Sequence, residues 1–187
     1  METFSRFTAR LKRPAGCAWL WAILLVICGT PFKSVAAEKS NEAERVYDKE
    51  RRISLVLPSS WQEVDAEPPY VLMFRAPAGE FTPNLNIVIT GDDGTPLDQV
   101  SEQIKQSMPT YFTDWRVVKD GFSKLDGHKV YVICSKYSEG ELTLRGLQYF
   151  LVSNGTLYVV TLTSSSDQFG KLKPTFKKIA DSVRVEQ

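Results

Sequence analysis

Residues that commonly perform catalysis or bind metals are scarce in this sequence. It has one histidine, His128, which follows an Asp-Gly pair typical of a turn, and it has no glycine-rich phosphate loop. A catalytic histidine must lie within hydrogen-bond reach of its nucleophile, a condition that an isolated turn residue does not meet. We therefore predict no catalytic residues, no bound cofactor and no metal site.

The N-terminal region lacks an apolar run long enough to cross a membrane. Residues 18–27 are apolar, but ten residues fall short of the roughly 20 that a membrane-spanning helix needs. A basic flank, this short run and small residues up to Ala37 are typical of a signal peptide, so we predict that residues 1–37 are cleaved off after Ala37. The alternative is lipidation of Cys28, although Ile27 is bulkier than the small residue expected before a lipidated cysteine.

Loss of this segment would leave a mildly acidic chain with one cysteine. The segment holds five basic residues and one acid, so 18 Lys and Arg remain against 21 Asp and Glu, a net charge of −3. Nucleic-acid binders need a basic footprint that releases counterions from phosphates, so nucleic acid is not an expected partner. Cys134, left alone, has no intrachain disulfide partner, and with one histidine it cannot complete a four-ligand zinc site.

The remaining chain divides into a polar lead-in and one domain. Residues 38–52 are charged and nearly free of apolar side chains, which predicts a mobile segment, and residues 53–187 form the domain. Alternating apolar residues predict strands at 53–57, 70–76 and 84–90. Thr95 is the predicted N-cap of a helix that has Pro96 at its first position and stops at Pro109.

The second half of the chain has the clearest pattern. Asp-Gly and Asn-Gly pairs adopt positive φ at low cost, which suits hairpin turns between four long β-rich runs. Some of these runs are apolar on both faces, which favours a sheet covered on both sides. The predicted class is α/β, an antiparallel sheet of about six or seven strands flanked by helices in an α-β-α sandwich. The four runs are 115–125, 128–137, 142–153 and 156–164, and a closing helix at 169–183 is predicted to be divided by Pro174.

Apolar positions of these elements define a predicted core. They share the spacing that places a side chain on the inner face of a strand or helix. They are Leu55, Leu57, Leu85, Ile87, Ile89, Val130, Val132, Val159, Leu162, Phe176 and Ile179.

Three groups of residues could carry chemistry, and each has a simpler structural interpretation. Cys134 lies within a strand, where a cysteine packs as a small hydrophobe. Asp92 and Asp93 suit a turn and do not supply the 6–8 oxygens that calcium takes. Glu139 and Glu141 flank a turn in water, where nothing is expected to separate their pKa values as acid–base catalysis requires.

Aromatic residues near strand ends provide the candidate binding surface, which comprises Trp61, Tyr111, Phe112 and Trp115. Aromatic side chains dominate both protein interiors and interfaces. Two interpretations therefore stay open at this point: core packing, or a groove near Trp61 and Trp115 that carries a small apolar ligand.

Several motifs resemble those of the PsbP-like family, named for an extrinsic subunit of photosystem II, and the layout is similar to that of DcrB-like exported proteins. The resemblance implies a PsbP-like fold, an exported location and a non-catalytic role. It also places a metal-associated histidine just before Gln148, where this chain has Leu147. The motifs are "SLVLPSSW" (54–61), "NLNIVIT" (84–90), Gly127, Gln148, "GTLYVV" (155–160), Phe169 and "ADSVRV" (180–185).

The resemblance and the leader together predict an exported, non-catalytic module that binds or assembles an envelope protein partner. The leader is shorter than a chloroplast import sequence, which favours a bacterial protein of the periplasm or the extracellular space, soluble rather than lipid-anchored. Contact with a membrane is expected only if Cys28 is lipidated. The alternatives are the apolar-ligand carrier and, in a photosynthetic host, a photosystem II-associated extrinsic protein.

Cleavage after Ala37 predicts a secreted protein that begins at Glu38 and partitions into the aqueous phase of a detergent separation. N-terminal sequencing of the exported protein measures this directly. A blocked terminus, with detergent-phase recovery that disappears in Cys28→Ser, would instead establish lipidation, because acyl chains contribute about 0.8 kcal/mol per buried CH₂ to membrane binding.

Overall fold

The computed structural model describes residues 43–77 and 81–186. The predicted cleavage point Ala37 and the alternative lipidation site Cys28 lie outside these residues and stay predictions. Across the two described stretches, no helix has both the length and the apolar character needed to cross a bilayer.

The described residues form two antiparallel sheets and two helices. The larger sheet has seven strands in the order β3-β4-β5-β9-β8-β7-β6, and the smaller has three in the order β1-β2-β10. This confirms the predicted α/β class and the predicted antiparallel sheet of about six or seven strands. The strands are β1 (Glu44–Asp48), β2 (Ile53–Leu57), β3 (Gln62–Val64), β4 (Leu72–Arg75), β5 (Asn84–Gly91), β6 (Thr113–Leu125), β7 (His128–Glu139), β8 (Leu142–Ser153), β9 (Thr156–Ser165) and β10 (Arg184–Val185), and the helices are α1 (Leu97–Tyr111) and α2 (Phe169–Asp181).

Tight hairpins fix the register of β6 to β9. Asp126 and Gly127 have φ of 49° and 82°, and Asn154 and Gly155 have φ of 50° and 70°. Two consecutive residues with positive φ are the hallmark of the turn whose twist matches that of paired strands. The turns bring Leu125 opposite His128 and Ser153 opposite Thr156, and the alternation of side chains between the two faces follows from there.

The lead-in is shorter than predicted. Glu44–Asp48 pairs antiparallel with β2 as strand β1, with Glu44 opposite Leu57, so the expectation of a mobile segment up to Arg52 is wrong for these residues. Backbone pairing needs few apolar side chains, and here one of them, Val46, packs against the core. Arg45 adds a hydrogen bond from Nη1 to Ser54 Oγ at 2.8 Å.

The helix ends differ from the predicted ones. The N-cap of α1 is Pro96 rather than Thr95, and it makes no side-chain capping bond. The backbone N–H of Thr95 instead donates to Asp93 Oδ1 in the preceding turn. Pro109 lies inside α1, which ends at Tyr111. Pro174 likewise lies inside a continuous α2 rather than dividing it. A proline removes one helical hydrogen bond, and burial of the apolar side of each helix outweighs that loss.

Each face of the large sheet is covered by different elements. Helix α1 packs on one side, the α1 face, against residues that include Ile133, Phe150 and Val159. Helix α2 and the small sheet pack on the other side, the α2 face, over Leu85, Leu147 and other apolar residues. Nine of the predicted core residues are buried, and two are partly buried and pack against the α2-face cluster, namely Ile89 and Val132.

Phe176 links α2 to the sheet and to the small strands. Its ring is fully buried, edge-to-face with Trp61 at 6.2 Å and with Phe169 at 6.0 Å between centroids. We predict that Phe176→Ala lowers the free energy of unfolding by about 3–5 kcal/mol, the range for emptying an aromatic core site. Urea denaturation measures the loss, and the exposed Lys178→Ala on the same helix should change it by about 0.5 kcal/mol or less. A similar loss in both variants would show that α2 is not docked through Phe176.

Candidate functional site

The side chains with catalytic potential lie apart. His128 begins β7 beside a turn and is half-buried, while Cys134 is buried within the same strand. Burial raises the pKa of the Cys134 thiol, although the positive charges of Arg145 and Lys173 act in the opposite direction. Over the described residues, no three His, Cys, Asp or Glu side chains come together as a metal-binding group. Among the described residues, His128 and Cys134 therefore do not form a nucleophile–base pair.

The two candidate calcium ligands are engaged in a turn. Asp92 Oδ1 accepts a hydrogen bond from the Gly94 backbone at 3.2 Å, and Asp93 Oδ1 accepts one from the Thr95 backbone at 3.0 Å. Hydrogen bonds from Thr95 lower the pKa of Asp93, so its charge stabilises the turn. Both carboxylates therefore have a structural role before helix α1, as their sequence context indicates.

Glu139 and Glu141 occupy different environments on either side of a turn. Glu139 is half-buried at the end of β7, and burial raises the pKa of its carboxyl, whereas Glu141 is exposed. The prediction that nothing shifts these groups is therefore wrong for Glu139. The shift comes from lost hydration with no second group to exchange a proton, so it does not make a catalytic pair.

The predicted aromatic surface is divided by the sheet. Trp61 packs on the α2 face against Phe176, whereas Phe112 and Trp115 lie on the α1 face. The grouping of Trp61 with Trp115 in one groove is therefore wrong, because the two residues lie on opposite faces of the seven-stranded sheet. Tyr111 is half-buried at the end of α1.

A pocket lies under Phe112 and Trp115 on the α1 face. These two rings and Tyr70 line it and are called the aromatic roof. The space available to the centres of water molecules is about 20 Å³, against the roughly 10–15 Å³ that one water needs. The pocket therefore has room for one or two water-sized groups, which is too little to enclose the predicted apolar ligand.

Polar side chains form a band in the floor of the pocket, beside Val88 and Val159. Pairing across the strands sets Gln148 opposite Thr161 and Thr161 opposite Asn86, and the next row sets Ser135 and Thr163 on either side of Gly146. The polar band is defined as the five side chains of these rows that line the pocket: Asn86, Ser135, Gln148, Thr161 and Thr163. It separates the apolar cluster under α1 from a small cluster formed by Phe81, Tyr137 and Leu144.

A row of cations crosses the opposite side of the sheet. Arg116, Lys136 and Arg145 are directly opposite one another on β6, β7 and β8, and we call them the basic row. Arg145 lies over the Phe169 ring at 4.7 Å. Residues 43–77 and 81–186 provide no salt bridge to any of the three. Like charges directly opposite on neighbouring strands destabilise a sheet.

Two lysines on the α1 side of the sheet form ion pairs. Lys105 Nζ lies 2.7 Å from Glu102 and 3.5 Å from Asp120, and Lys129 Nζ lies 3.1 Å from Asp98. Lys105 and Lys129 therefore have carboxylate partners, whereas Lys124, opposite Lys129, and the three cations of the basic row have none among the described residues.

Both features leave a signal in the sequence that pattern reading missed. Asn84 and Asn86 alternate along "NLNIVIT" at positions that face one side of the sheet, which indicates a polar stripe. Lys136 and Arg145 are nearly symmetric about the turn at Gly140, so a hairpin register alone would have paired them.

Comparison with known proteins adds the family and the fold. A model of the PsbP family matches residues 41–185. No curated protein matches the chain.

Solved structures share the fold at low sequence identity. Cyanobacterial PsbP (CyanoP) of Synechocystis sp. PCC 6803 superposes with a TM-score of 0.64 at 18% identity over 84% of this chain and 100% of that one. LpqN of Mycobacterium tuberculosis, involved in cell envelope biogenesis, gives 0.59 at 12% identity over 78% and 91%. The Ran-binding protein Mog1p of Saccharomyces cerevisiae gives 0.54 at 8% identity over 78% and 96%.

The environment of Glu139 predicts a pH-dependent stability difference. A carboxyl whose pKa is raised in the folded state binds more protons folded than unfolded, so its contribution to stability falls as pH rises through its titration range. We predict that Glu139→Gln is more stable than the wild type at neutral pH and that this difference narrows below about pH 4, where the unfolded carboxyl is also protonated.

Urea unfolding across this pH range measures the effect. The matched control is Glu141→Gln, which changes an exposed carboxylate across the same turn. If the free energy of unfolding changed with pH equally in both variants, burial of Glu139 would not be the cause of the predicted difference.

Proposed function

This chain belongs to the PsbP family, and from that membership we propose that it is a non-catalytic module that binds a protein partner in a bacterial envelope. The candidate nucleophiles, bases and metal ligands are separated or engaged in turns, which supports binding rather than turnover. The leader supports an exported location.

The basic row is the observation that carries this proposal. Three cations held opposite one another raise the free energy of the isolated fold. A negatively charged surface placed against them would remove that repulsion, and complementary charge also speeds encounter between proteins. The partner that fits best is therefore a protein with an acidic patch.

Two side chains beside the basic row extend its positive charge. Lys119 is exposed and lies opposite Cys134, which is two residues from Lys136 on the same face of β7. Lys173 on α2 approaches the same region. The surface is therefore broader than one strand pair, which suits a protein surface better than a single ion.

Relatives of similar fold support a binding role. LpqN is described as involved in cell envelope biogenesis, and Mog1p as a Ran-binding protein. Their identity to this chain is low, so they support the use of the fold and do not indicate which partner it takes. Association with photosystem II stays a prediction for a photosynthetic host. The apolar-carrier alternative is less well supported, because the pocket is too small to enclose such a ligand.

We predict that the double variant Arg116→Gln/Lys136→Gln binds its envelope partner about tenfold more weakly than the wild type, a loss of about 1.4 kcal/mol. The immobilised exported chain is used to recover proteins from an envelope extract at low salt, and the affinity of the enriched protein is then measured. Because the contact is electrostatic, wild-type binding should also weaken as salt rises.

The matched control is Lys124→Gln/Lys178→Gln, which removes the same charge from two exposed positions outside the basic row. It should bind like the wild type. Equal weakening in both double variants would mean that net charge, and not the basic row, governs binding. Failure of the wild type to enrich any protein above a blank resin would count against the proposed function itself.

A further inference from the structure

The polar band has hydrogen-bonding capacity that the protein does not use. Asn86, Ser135 and Gln148 are 3%, 2% and 6% exposed. Gln148 Nε2 donates to Thr161 Oγ1 at 3.3 Å. Among the residues of known position, Thr163 Oγ1 is buried without a hydrogen-bond partner, and the Asn86 and Ser135 side chains, which line the same pocket, make no hydrogen bond to the protein. Buried amides and hydroxyls are nearly always hydrogen-bonded, so these groups call for a partner that enters the pocket.

The pocket selects against charge. The amides and hydroxyls of the polar band line it together with Val88, Val159 and aromatic rings, and no carboxylate, ammonium or guanidinium does. A charged group moved from water into this space would lose hydration without meeting an opposite charge. Burial also raises the pKa of Tyr137 at the pocket wall, so its phenol stays neutral. The occupant that suits these surroundings is polar and uncharged.

The aromatic roof and the small volume define the shape of the occupant. Phe112 and Trp115 line the pocket and are half-buried, and the Phe112 ring centroid lies 4.6 Å from that of Tyr137. Flat apolar rings pack well against the C–H faces of other rings. Space for one or two water-sized groups admits a hydroxymethyl or acetamido substituent, while the rest of a larger molecule lies against the roof.

We propose that this pocket binds a neutral saccharide, whose hydroxymethyl or acetamido group enters over the polar band while its sugar ring packs against Trp115. The hydroxyl or amide of that group supplies the donors and acceptors that Asn86, Ser135 and Gln148 need. Water makes the same bonds in the absence of sugar, so the sugar binds by displacing one or two waters.

This site is independent of the protein-binding surface. The pocket opens on the α1 face, and the basic row lies across the sheet on the other face. Loss of saccharide binding would leave the proposed partner contact in place, and the reverse also holds.

The test is a titration of the isotope-labelled exported chain, followed through the indole N–H resonances of its tryptophans. The probe is tri-N-acetylglucosamine, and Trp115→Phe assigns the resonance. The Trp115 signal should shift with a millimolar dissociation constant, and the Trp61 signal, on the opposite face, should not. Glucosamine and glucuronate carry a charge and should not shift either signal.

Two variants locate the bound group. A Cβ added at Gly146 would lie 3.6 Å from Ser135 Oγ and 3.7 Å from Tyr137 Cε1, both ordinary contacts, so Gly146→Ala fills space in the pocket without a clash. Ser135→Ala removes one hydroxyl and keeps the volume. We expect at least tenfold weaker binding in Gly146→Ala and a smaller loss in Ser135→Ala. The control is Ser123→Ala, at an exposed position on β6.

Thermal unfolding of each variant separates a lost site from a lost fold. An unshifted Trp115 signal at saturating sugar would overturn the proposal. So would equal affinity in Gly146→Ala and the wild type, or tighter binding of an apolar probe such as indole than of the sugar.

Discussion

The register of the long hairpins is the constraint on which the rest of the molecule depends. Side chains of a strand alternate between faces, so a slip of one residue would send every side chain of that strand to the wrong side. The turns at Asp126-Gly127 and Asn154-Gly155 hold the register through backbone conformations with positive φ. With it fixed, Tyr131, Phe150 and Val159 form one apolar row under α1. The same pairing generates the polar band and the basic row.

Both rows are costly to the isolated fold, and they are costly in different ways. The polar band places amides and hydroxyls where apolar residues would pack without unmet hydrogen bonds. The basic row places like charges within reach of one another, relieved in part by the Phe169 ring beneath Arg145. Burial of the large apolar clusters on both faces stabilises the fold enough to offset these two unfavourable contributions.

Local chemistry explains which parts of the fold could be predicted from sequence. Three predictions are confirmed because short-range geometry decides them: the hairpins at the Asp-Gly and Asn-Gly pairs, strand β5 from its alternating pattern, and the burial of Cys134. Strand β1 could not be predicted from composition, since its pairing with β2 rests on the backbone. The separation of Trp61 from Trp115 depends on how distant strands assemble, which no local pattern encodes. The pocket was missed for the same reason, because its floor comes from four strands.

The small sheet brings the two ends of the domain together. Strands β1 and β10 flank β2, so Tyr47 and Arg184 both lie opposite Ser54, about 10 Å apart at the usual spacing of strands. A short linker could therefore join the two ends of the domain. The chain could then be opened at another turn, as in a circular permutation. A label or fused protein attached directly to β1 or β10 therefore lies beside β2 on the α2 face and leaves the aromatic roof unobstructed.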